Sequence, residues 1–448
     1  MSVFALLVSW LLGLNSSPEE VLVLRSSQLS PWLMQTSLNT LMEPEYGADP
    51  AAIAALNSYL NTLERLGLDP SQQGVWVQSG TTVWAANEGT VPLSAASLTK
   101  LVTSLAALHT WGTDHQFETL VSITGVVRNG VLEGDLLIQG GGDPLYVWEE
   151  AIALANVLQQ NGIQEVAGEL LIAGNFSMNY QDDPIKSGTL LKQAFNARLW
   201  PAEAEAQYLQ MPPGTPRPTL RIQGPVRFTS PNALQARQPR PLFKHYSLPL
   251  AQLVKLMNIY SNNVMAQQLA DLLGGAEQAA KIAATTTHVP QEEIQIINGS
   301  GLGQENQISA RAISRILMAM NQHVKDTPWT LADLLPVSGR DVGTLAGRQL
   351  PLSAAVKTGS LWSVSSLAGA FPTQDQGIVW FAIINRGSNL DQLREQQDVI
   401  LNAFVEHWGE ASLLPADLQP SLESLNPANQ LGASSRIQPV DNMAVTLP

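Results

Sequence analysis

Three short patterns hold the residues that could do chemistry. The first is Ser97-Leu98-Thr99-Lys100. Residues i and i+3 share one face of a helix, so the Ser97 hydroxyl and the Lys100 amine can meet within hydrogen-bond range. A serine hydroxyl alone is a weak nucleophile. A desolvated lysine with a lowered pKa can take its proton. A helix N-terminus beside the pair would favour a developing oxyanion. The chain has eight lysines, and none of the other seven has a serine three residues earlier. Taken alone, these four residues also describe a helix cap followed by a solvated lysine.

The second pattern is Lys357-Thr358-Gly359-Ser360, directly after Ala354-Ala355-Val356. A cation, a hydroxyl and a glycine at a strand end make a carboxylate clamp. Gly359 allows a substrate backbone to come close. An ordinary strand end with an exposed lysine would read the same way. The third is Ser261-Asn262-Asn263, at the start of an apolar-periodic run through Val264, Ala266 and Leu269. Ser-x-Asn recurs at Ser177, Ser230 and Ser424, so position selects this copy: it lies between the other two patterns and borders a helical segment. Tyr260-Ser261-Asn262, a Tyr-x-Asn pattern, is a competing register.

The elements that must position these residues follow from periodicity. Residues 51–66 have helical apolar spacing and end near Gly67. Residues 74–77 and 82–85 flank Ser79-Gly80 and form a hairpin. Leu98, Leu101, Val102, Leu105 and Leu108 make a helical stripe closed by Gly112, which puts Ser97 at a helix start. From 117 to 228 the segments are short and extended (120–127, 134–139, 168–173, 219–222), with one helix at 147–160. Asn129-Gly130 and Gly140-Gly141-Gly142 separate some of them, and residues 212–218 and 231–241 are proline-rich loops. Helical spacing returns at 248–273, 276–284 and 309–322. Strands follow at 354–358, 366–371 and 378–384, then a helix at 391–408. Residues 413–448 lack periodicity and read as a disordered tail.

Composition narrows the function. The chain has 448 residues, 45% apolar and 14% charged, enough for two or three domains and too apolar for disorder. Its net charge of −14 argues against a nucleic-acid partner, which needs a basic face. Absence of cysteine removes disulfides, thiolate nucleophiles and cysteine metal sites. None of the six histidines forms an HExxH pair. Residues 3–14 are apolar and too short to span a bilayer, which suits the core of an export signal. No Lys or Arg precedes Arg25, so an uncleaved anchor and a buried helix are the alternatives.

The order Ser-x-x-Lys, Ser-x-Asn, Lys-Thr-Gly resembles the penicillin-binding and serine β-lactamase superfamily. Within it, the chain is similar to the D-alanyl-D-alanine carboxypeptidase/endopeptidase family, the penicillin-binding protein 4 type of low-molecular-mass class C (S13). The 164-residue step from Ser97 to Ser261 fits a family with extra domains inserted there. Other similar stretches are Leu132-Glu133-Gly134-Asp135-Leu136 with Gly140-Gly141-Gly142-Asp143-Pro144, Ser247-Leu248-Pro249-Leu250, Gly299-Ser300-Gly301-Leu302, and Lys357-Thr358-Gly359-Ser360-Leu361 with Leu367-Ala368-Gly369. The resemblance covers residues 51–408. Two departures stand out. Asn298-Gly299-Ser300-Gly301-Leu302-Gly303-Gln304 replaces a family loop that starts with aspartate and ends in arginine. Asn262 and Gln267 stand where the family has aspartate and glutamate.

The resemblance implies an α+β fold: an antiparallel sheet flanked by helices, of the penicillin-binding/serine β-lactamase-like transpeptidase type, with an inserted mostly β region. Residues 21–112 and 245–410 would form the split catalytic body, 113–244 the insertion, 1–20 a signal or anchor and 411–448 the tail. Ser97 would be the nucleophile, Lys100 its base and Ser261 a proton relay. Asn263, Lys357, Thr358, Gly359 and Ser360 would bind substrate. Asp143 and Tyr146 would read a side-chain amine of the peptide, although Asp143 equally suits a helix cap or turn. No metal or cofactor is required. The partners would be peptidoglycan stem peptides, with β-lactams as covalent inhibitors, in the periplasm or cell envelope; membrane association would run through the N-terminus. Two other functions stay open: a class C-like β-lactamase, kept by the Tyr-x-Asn register, and a non-catalytic wall-binding or β-lactam-sensing module.

Overall fold

The structure is a computed structural model and describes residues 45–440. The apolar segment 3–14, expected as signal or anchor, lies outside the described residues. The half that carries the three motifs opens with β1 (Glu45–Tyr46), α1 (Pro50–Arg65), β2 (Gln73–Ser79), β3 (Thr82–Asn87), β4 (Leu93–Ser94) and α2 (Thr99–Trp111). The chain then leaves through β5 (Glu118–Ile123), β6 (Val126–Arg128), β7 (Val131–Glu133), β8 (Leu136–Gly141), α3 (Trp148–Gln160), β9 (Glu165–Val166), β10 (Leu170–Asn175), α4 (Pro184–Ala194), α5 (Ala202–Tyr208), β11 (Arg221–Ile222), β12 (Val226–Phe228), α6 (Pro231–Ala236) and β13 (Arg240–Tyr246). It returns with α7 (Leu250–Tyr260), α8 (Asn263–Leu272), α9 (Ala276–Thr287), β14 (Ile294–Gln295), β15 (Gln307–Ile308), α10 (Ala310–Val324), β16 (Ala355–Leu361), β17 (Val364–Thr373), β18 (Gly377–Arg386), α11 (Leu390–Trp408) and β19 (Ile437–Pro439).

The main sheet has six strands in the order β1-β3-β2-β18-β17-β16, antiparallel except for β1 against β3. Alternation along β17 and β18 divides its two faces. Leu367, Phe371, Phe381 and Ile383 pack with α1 and α11. Ala368, Ala370, Ala382 and Ile384 face the helical layer that holds α2. Small residues on that second face let α2 come close. Every residue of α2 from Thr99 to Leu108 is buried, as befits a helix enclosed on all sides. It stops at Gly112, whose φ of 80° suits glycine.

None of the strands β5–β13 joins the main sheet. They form a six-stranded sheet, β12-β10-β8-β5-β13-β19, and take part in a smaller one, β11-β9-β7-β6. This region has its own core, including Ile138, Ile152, Leu154, Ile172 and Phe195. It holds helices as well as strands. β8, β10 and β12 are parallel neighbours, and parallel pairing needs a crossover, which α3 supplies between β8 and β10. Sequence spacing finds α3 but not α4, α5 or α6. The last starts at Pro231 inside an expected loop; its N-cap is Ser230, and proline is at home in a first helical turn.

The expected disorder of 411–448 is corrected for residues 411–440. They form short 3₁₀ turns and strand β19, which pairs with β13. Thr330 donates to the Gln419 carbonyl at 2.7 Å, and the Ser421 N–H donates to Asp333 at 3.1 Å. Farther on, the buried Arg436 donates to the Tyr246 carbonyl at 2.7 Å and pairs with the buried Glu150, which also bonds His245 at 2.7 Å. The segment therefore straps the motif-bearing half to the inserted region. Single turns tied by specific hydrogen bonds have no apolar period, so the pattern resembles disorder.

Candidate active site

Ser97 sits in a 3₁₀ turn, Ala96–Leu98, that leads into α2. Ala96 has a φ of 49°, uncommon for a residue with a side chain and found most at functional turns. Lys100 follows one turn later and is fully buried. Its Nζ lies 3.0 Å from Ser97 Oγ, 2.7 Å from Asn263 Oδ1 and 2.7 Å from the Ser300 carbonyl oxygen. Burial lowers its pKa to about 7. In the neutral form the 3.0 Å contact reverses, and the Ser97 hydroxyl donates to the amine. A second pair faces this one. Lys357 Nζ donates to Ser261 Oγ at 2.9 Å and to the Thr358 carbonyl at 2.7 Å. Burial, with the charge on Lys100, holds Lys357 well below the usual lysine range.

Ser261 is the left-handed C-cap of α7, with φ 51°. Asn262 then caps α8, accepting from the Val264 and Met265 N–H groups at 3.0 Å each. That resolves the register. Asn262 is spent on a helix cap, Asn263 reaches Lys100, and Tyr260 is 66% exposed. The Tyr-x-Asn pattern does not point at the lysines.

β16 is an edge strand of the main sheet, and an edge offers free backbone groups to an extended peptide. The expected reason for Gly359 is only part of the truth. A methyl there would sit 2.9 Å from the Ser97 nitrogen and 2.3 Å from Ser366 Oγ, so the glycine first makes room for the turn holding Ser97. Ser366 Oγ donates to the Ala95 carbonyl at 2.8 Å and fastens the same turn. Gly301 plays the matching part from the other side: a methyl would sit 1.9 Å from the Ala96 carbonyl oxygen. Thr358 is half-buried, and the exposed Ser360 accepts from Arg394 at 3.1 Å, a contact with no signature in the sequence.

The departures from the family loop keep hydrogen-bond acceptors while dropping charge. Asn298 Oδ1 accepts from the Ser300 and Gly301 N–H groups, at 3.1 and 2.8 Å. Gln267 Oε1 accepts from the Gly299 N–H at 3.1 Å. Both shape the loop that aims the Ser300 carbonyl at Lys100. Every acceptor bonded to Lys100 or Lys357 is neutral.

Asp143 and Tyr146 are placed differently from expectation. Asp143 is buried and accepts from the Leu145 N–H at 2.9 Å, closing a turn. Burial pushes it up to about 6, against the opposing charges of His245 and Arg436. Tyr146 is buried against Phe176 and His245. Neither hydrogen-bonds a residue around Ser97. Their segment is a seam: Leu145 and Val147 enter the catalytic core, while Tyr146 and Trp148 enter the inserted one. The inserted region instead meets the third motif through Tyr180, whose hydroxyl bonds the Asn262 side chain, and through Ser177, bonded to Gln268 at 2.8 Å.

A half-buried serine bonded to a buried lysine at a helix start, a second lysine–serine pair opposite and an edge strand define an active-site-serine peptidase of the penicillin-recognising fold. The D-Ala-D-Ala carboxypeptidase 3 (S13) family profile matches residues 53–210 and 221–404, and the chain belongs to that family. It is similar to the carboxypeptidase DacB of Mycolicibacterium smegmatis, 24% identical over 350 residues, covering 69% of this chain and 75% of the relative. In fold it is similar to a penicillin G-acylated predatory endopeptidase from Bdellovibrio bacteriovorus, with a TM-score of 0.69 and 20% identity over 82% of this chain and 99% of that one. Penicillin-binding protein 4 of Haemophilus influenzae is also similar, with a TM-score of 0.58 and 19% identity over 78% and 99% of the chains.

Proposed function

We propose that this chain is a penicillin-binding serine D-Ala-D-Ala peptidase that trims peptidoglycan stem peptides through an ester on Ser97. The observation that carries the reading is the 3.0 Å Ser97–Lys100 contact, with Lys100 buried and poised at about 7. Near neutral pH a large fraction of Lys100 is an uncharged base. Ser97 Oγ bonds to the carbonyl carbon between two D-alanines while Lys100 takes its proton. Backbone N–H groups of Ser97 and Ser360 hold the oxyanion. Ser261, held by Lys357, delivers a proton to the leaving amine as the C–N bond breaks. Asn263 holds the acyl amide, and Lys357 with Thr358 holds the terminal carboxylate. Water then cleaves the ester and restores Ser97. Penicillin would form the same ester.

This chemistry belongs outside the cytoplasm, and we place the protein in the periplasm or envelope, exported by residues 3–14, which as a retained anchor would associate it with the membrane. No described helix is long and apolar enough to cross a membrane. The test is labelling with fluorescent penicillin, alongside digestion of muropeptides with product masses. Wild type should label and release D-alanine; Ser97→Ala should do neither while keeping its fold. A labelled alanine variant would place the nucleophile elsewhere. A labelled wild type that spares muropeptides but destroys penicillin rapidly would be a β-lactamase, and one that only holds the drug would be a sensor.

A further inference from the structure

Helix α8 serves the reaction on one side and meets the inserted region on another. Asn263 and Gln267 are four residues apart and share a face. Asn263 Oδ1 accepts from Lys100 Nζ at 2.7 Å, and Gln267 Oε1 accepts from the Gly299 N–H at 3.1 Å. The loop that carries the Ser300 carbonyl rests on the same helix: a methyl on Gly299 would sit 2.5 Å from the Ala266 carbonyl oxygen. Two of the three acceptors bonded to Lys100 therefore depend on where α8 lies.

Gln268 and Leu272 form a second pair four residues apart, on a neighbouring face. Gln268 Nε2 donates to the buried Ser177 Oγ at 2.8 Å. Leu272 packs on Gly142, where a methyl would sit 2.8 Å from its Cδ1. At the head of the helix the Tyr180 hydroxyl bonds the Asn262 side chain. Ser177 and Tyr180 belong to one turn of the inserted region, and that turn is fastened at several points. The Met178 N–H donates to Ser187 Oγ at 3.2 Å, Ser187 Oγ donates to the Gln181 carbonyl at 2.9 Å, and the Asn179 N–H donates to the Tyr146 carbonyl at 3.0 Å. Asn179 and Tyr180 are consecutive left-handed residues, with φ of 49° and 63°. Such conformations persist in residues with side chains only where the surroundings enforce them, and they gather at functional sites. The bond to Ser177 also carries a cost: Gln268 Oε1 is buried and has no partner among the described residues.

We propose that the inserted region is a clamp on α8, in which Ser177 and Tyr180 are positioning residues that keep Asn263 and the Ser300 carbonyl on Lys100. The proposal rests on Lys100 acting as the base, as read above. A helix freed on that side would let both acceptors withdraw. The ammonium form of Lys100 would lose two hydrogen bonds, and the amine would lose its aim at Ser97.

The test uses the full chain carrying Ser177→Ala, Gln268→Met and Tyr180→Phe together. Replacing both partners of a buried hydrogen bond by apolar groups of similar shape is nearly neutral for stability, and Gln268→Met also removes the orphan oxygen. Thermal melting should therefore stay within a few degrees of wild type. Two readouts of penicillin acylation should move. The plateau rate at high pH should fall about ten-fold, and the rising limb should move to lower pH by about one unit, each the scale of one hydrogen bond to a charged group. The limb moves in that direction because the lost acceptors favour the protonated amine. Lys357, the ionisable group that faces Lys100 from β16, stays in place. Tyr180→Phe alone leaves the Ser177–Gln268 bond and should do less. A triple variant that melts normally and keeps both the wild-type rate and the wild-type limb overturns the clamp. One that loses stability and rate but keeps the limb overturns it too, because a merely structural role does that. If wild type labels at Ser97, either result leaves the peptidase reading standing. A wild type that does not label takes both down.

Discussion

Lys100 and Lys357 stand in one buried site, each bonded to its own serine, and the charge on Lys100 depresses the proton affinity of Lys357. Two ammonium groups with only neutral acceptors are an unstable arrangement, because burial and like charge both favour losing a proton. Burial alone brings Lys100 to about 7, and Lys357 feels burial together with the charge on Lys100. A ligand carboxylate at Lys357 would supply the negative charge that the site's own residues do not.

The rate of penicillin acylation should therefore follow the neutral form of Lys100. The sign is fixed by the depressed pKa: the base is protonated and idle at low pH, and activity rises as pH climbs through about 7. Stopped-flow acylation across pH would show that limb. Lys100→Arg keeps a cation that cannot deprotonate, and should slow acylation about a hundred- to ten-thousand-fold. A profile that first rises near the usual lysine range would mean Lys100 is not the base.

Gly359→Ala should damage catalysis more than folding. The added methyl meets the Ser97 nitrogen at 2.9 Å and Ser366 Oγ at 2.3 Å, so the turn or the strand must shift. Loss of one oxyanion donor typically costs about 10²–10³ in rate, and that is the expected fall in acylation. Thermal melting should stay within a few degrees of wild type. Normal acylation in this variant would mean that the backbone of β16 takes no part in holding the oxyanion.

Asn262 and Asn263 should separate cleanly. Asn262→Ala removes the cap of α8 and should cost about 0.5–2 kcal/mol of stability. Asn263→Ala removes an acceptor from Lys100 and should lower acylation by at least ten-fold, the scale of one hydrogen bond to a charged group, with little loss of stability. Denaturant titration paired with labelling rates reads both. The reverse pattern would reinstate the Tyr260-Ser261-Asn262 register.

Some of this molecule is legible in its residues, for physical reasons. Ser97 and Lys100 can be paired from spacing alone, since one helical turn fixes their separation. Lys357 and Gly359 are visible only through the order of the three motifs, since Lys-Thr-Gly by itself also fits an ordinary strand end. The contact between Lys100 and the Ser300 carbonyl is hidden, because any residue can supply a carbonyl. Asp143 misleads: three glycines before it suggest a loop approaching a ligand, yet Gly142 packs against Leu272 and the carboxylate closes a turn. Two of the inserted helices, α4 and α6, escape because Gly188 and Pro231 interrupt the pattern, although the first packs on Ile172 and the second opens a helix. The strap at 411–440 escapes because it has no repeat to detect.

That strap carries the last prediction. Burial pushes Glu150 up, but Arg436 and His245 outweigh it and hold the carboxylate at about 2. Removing one partner of a buried pair leaves an uncompensated charge, at a cost of about 3–5 kcal/mol. Arg436→Ala should therefore destabilise the protein by that amount at neutral pH. The pH dependence has a definite sign. A depressed carboxylate contributes stability above its unfolded pKa and loses it as pH falls toward the folded value. Wild type should lose this contribution between about 4.5 and 2. In Arg436→Ala the carboxylate regains protons at higher pH, so that part of the acid sensitivity should shrink. A double variant, Glu150→Gln with Arg436→Met, should cost clearly less than the sum of the single changes, because the two groups act as a pair. Additive costs in denaturant titration would mean that Arg436 works only through its contacts with the Tyr246, Ala428 and Gln430 carbonyls.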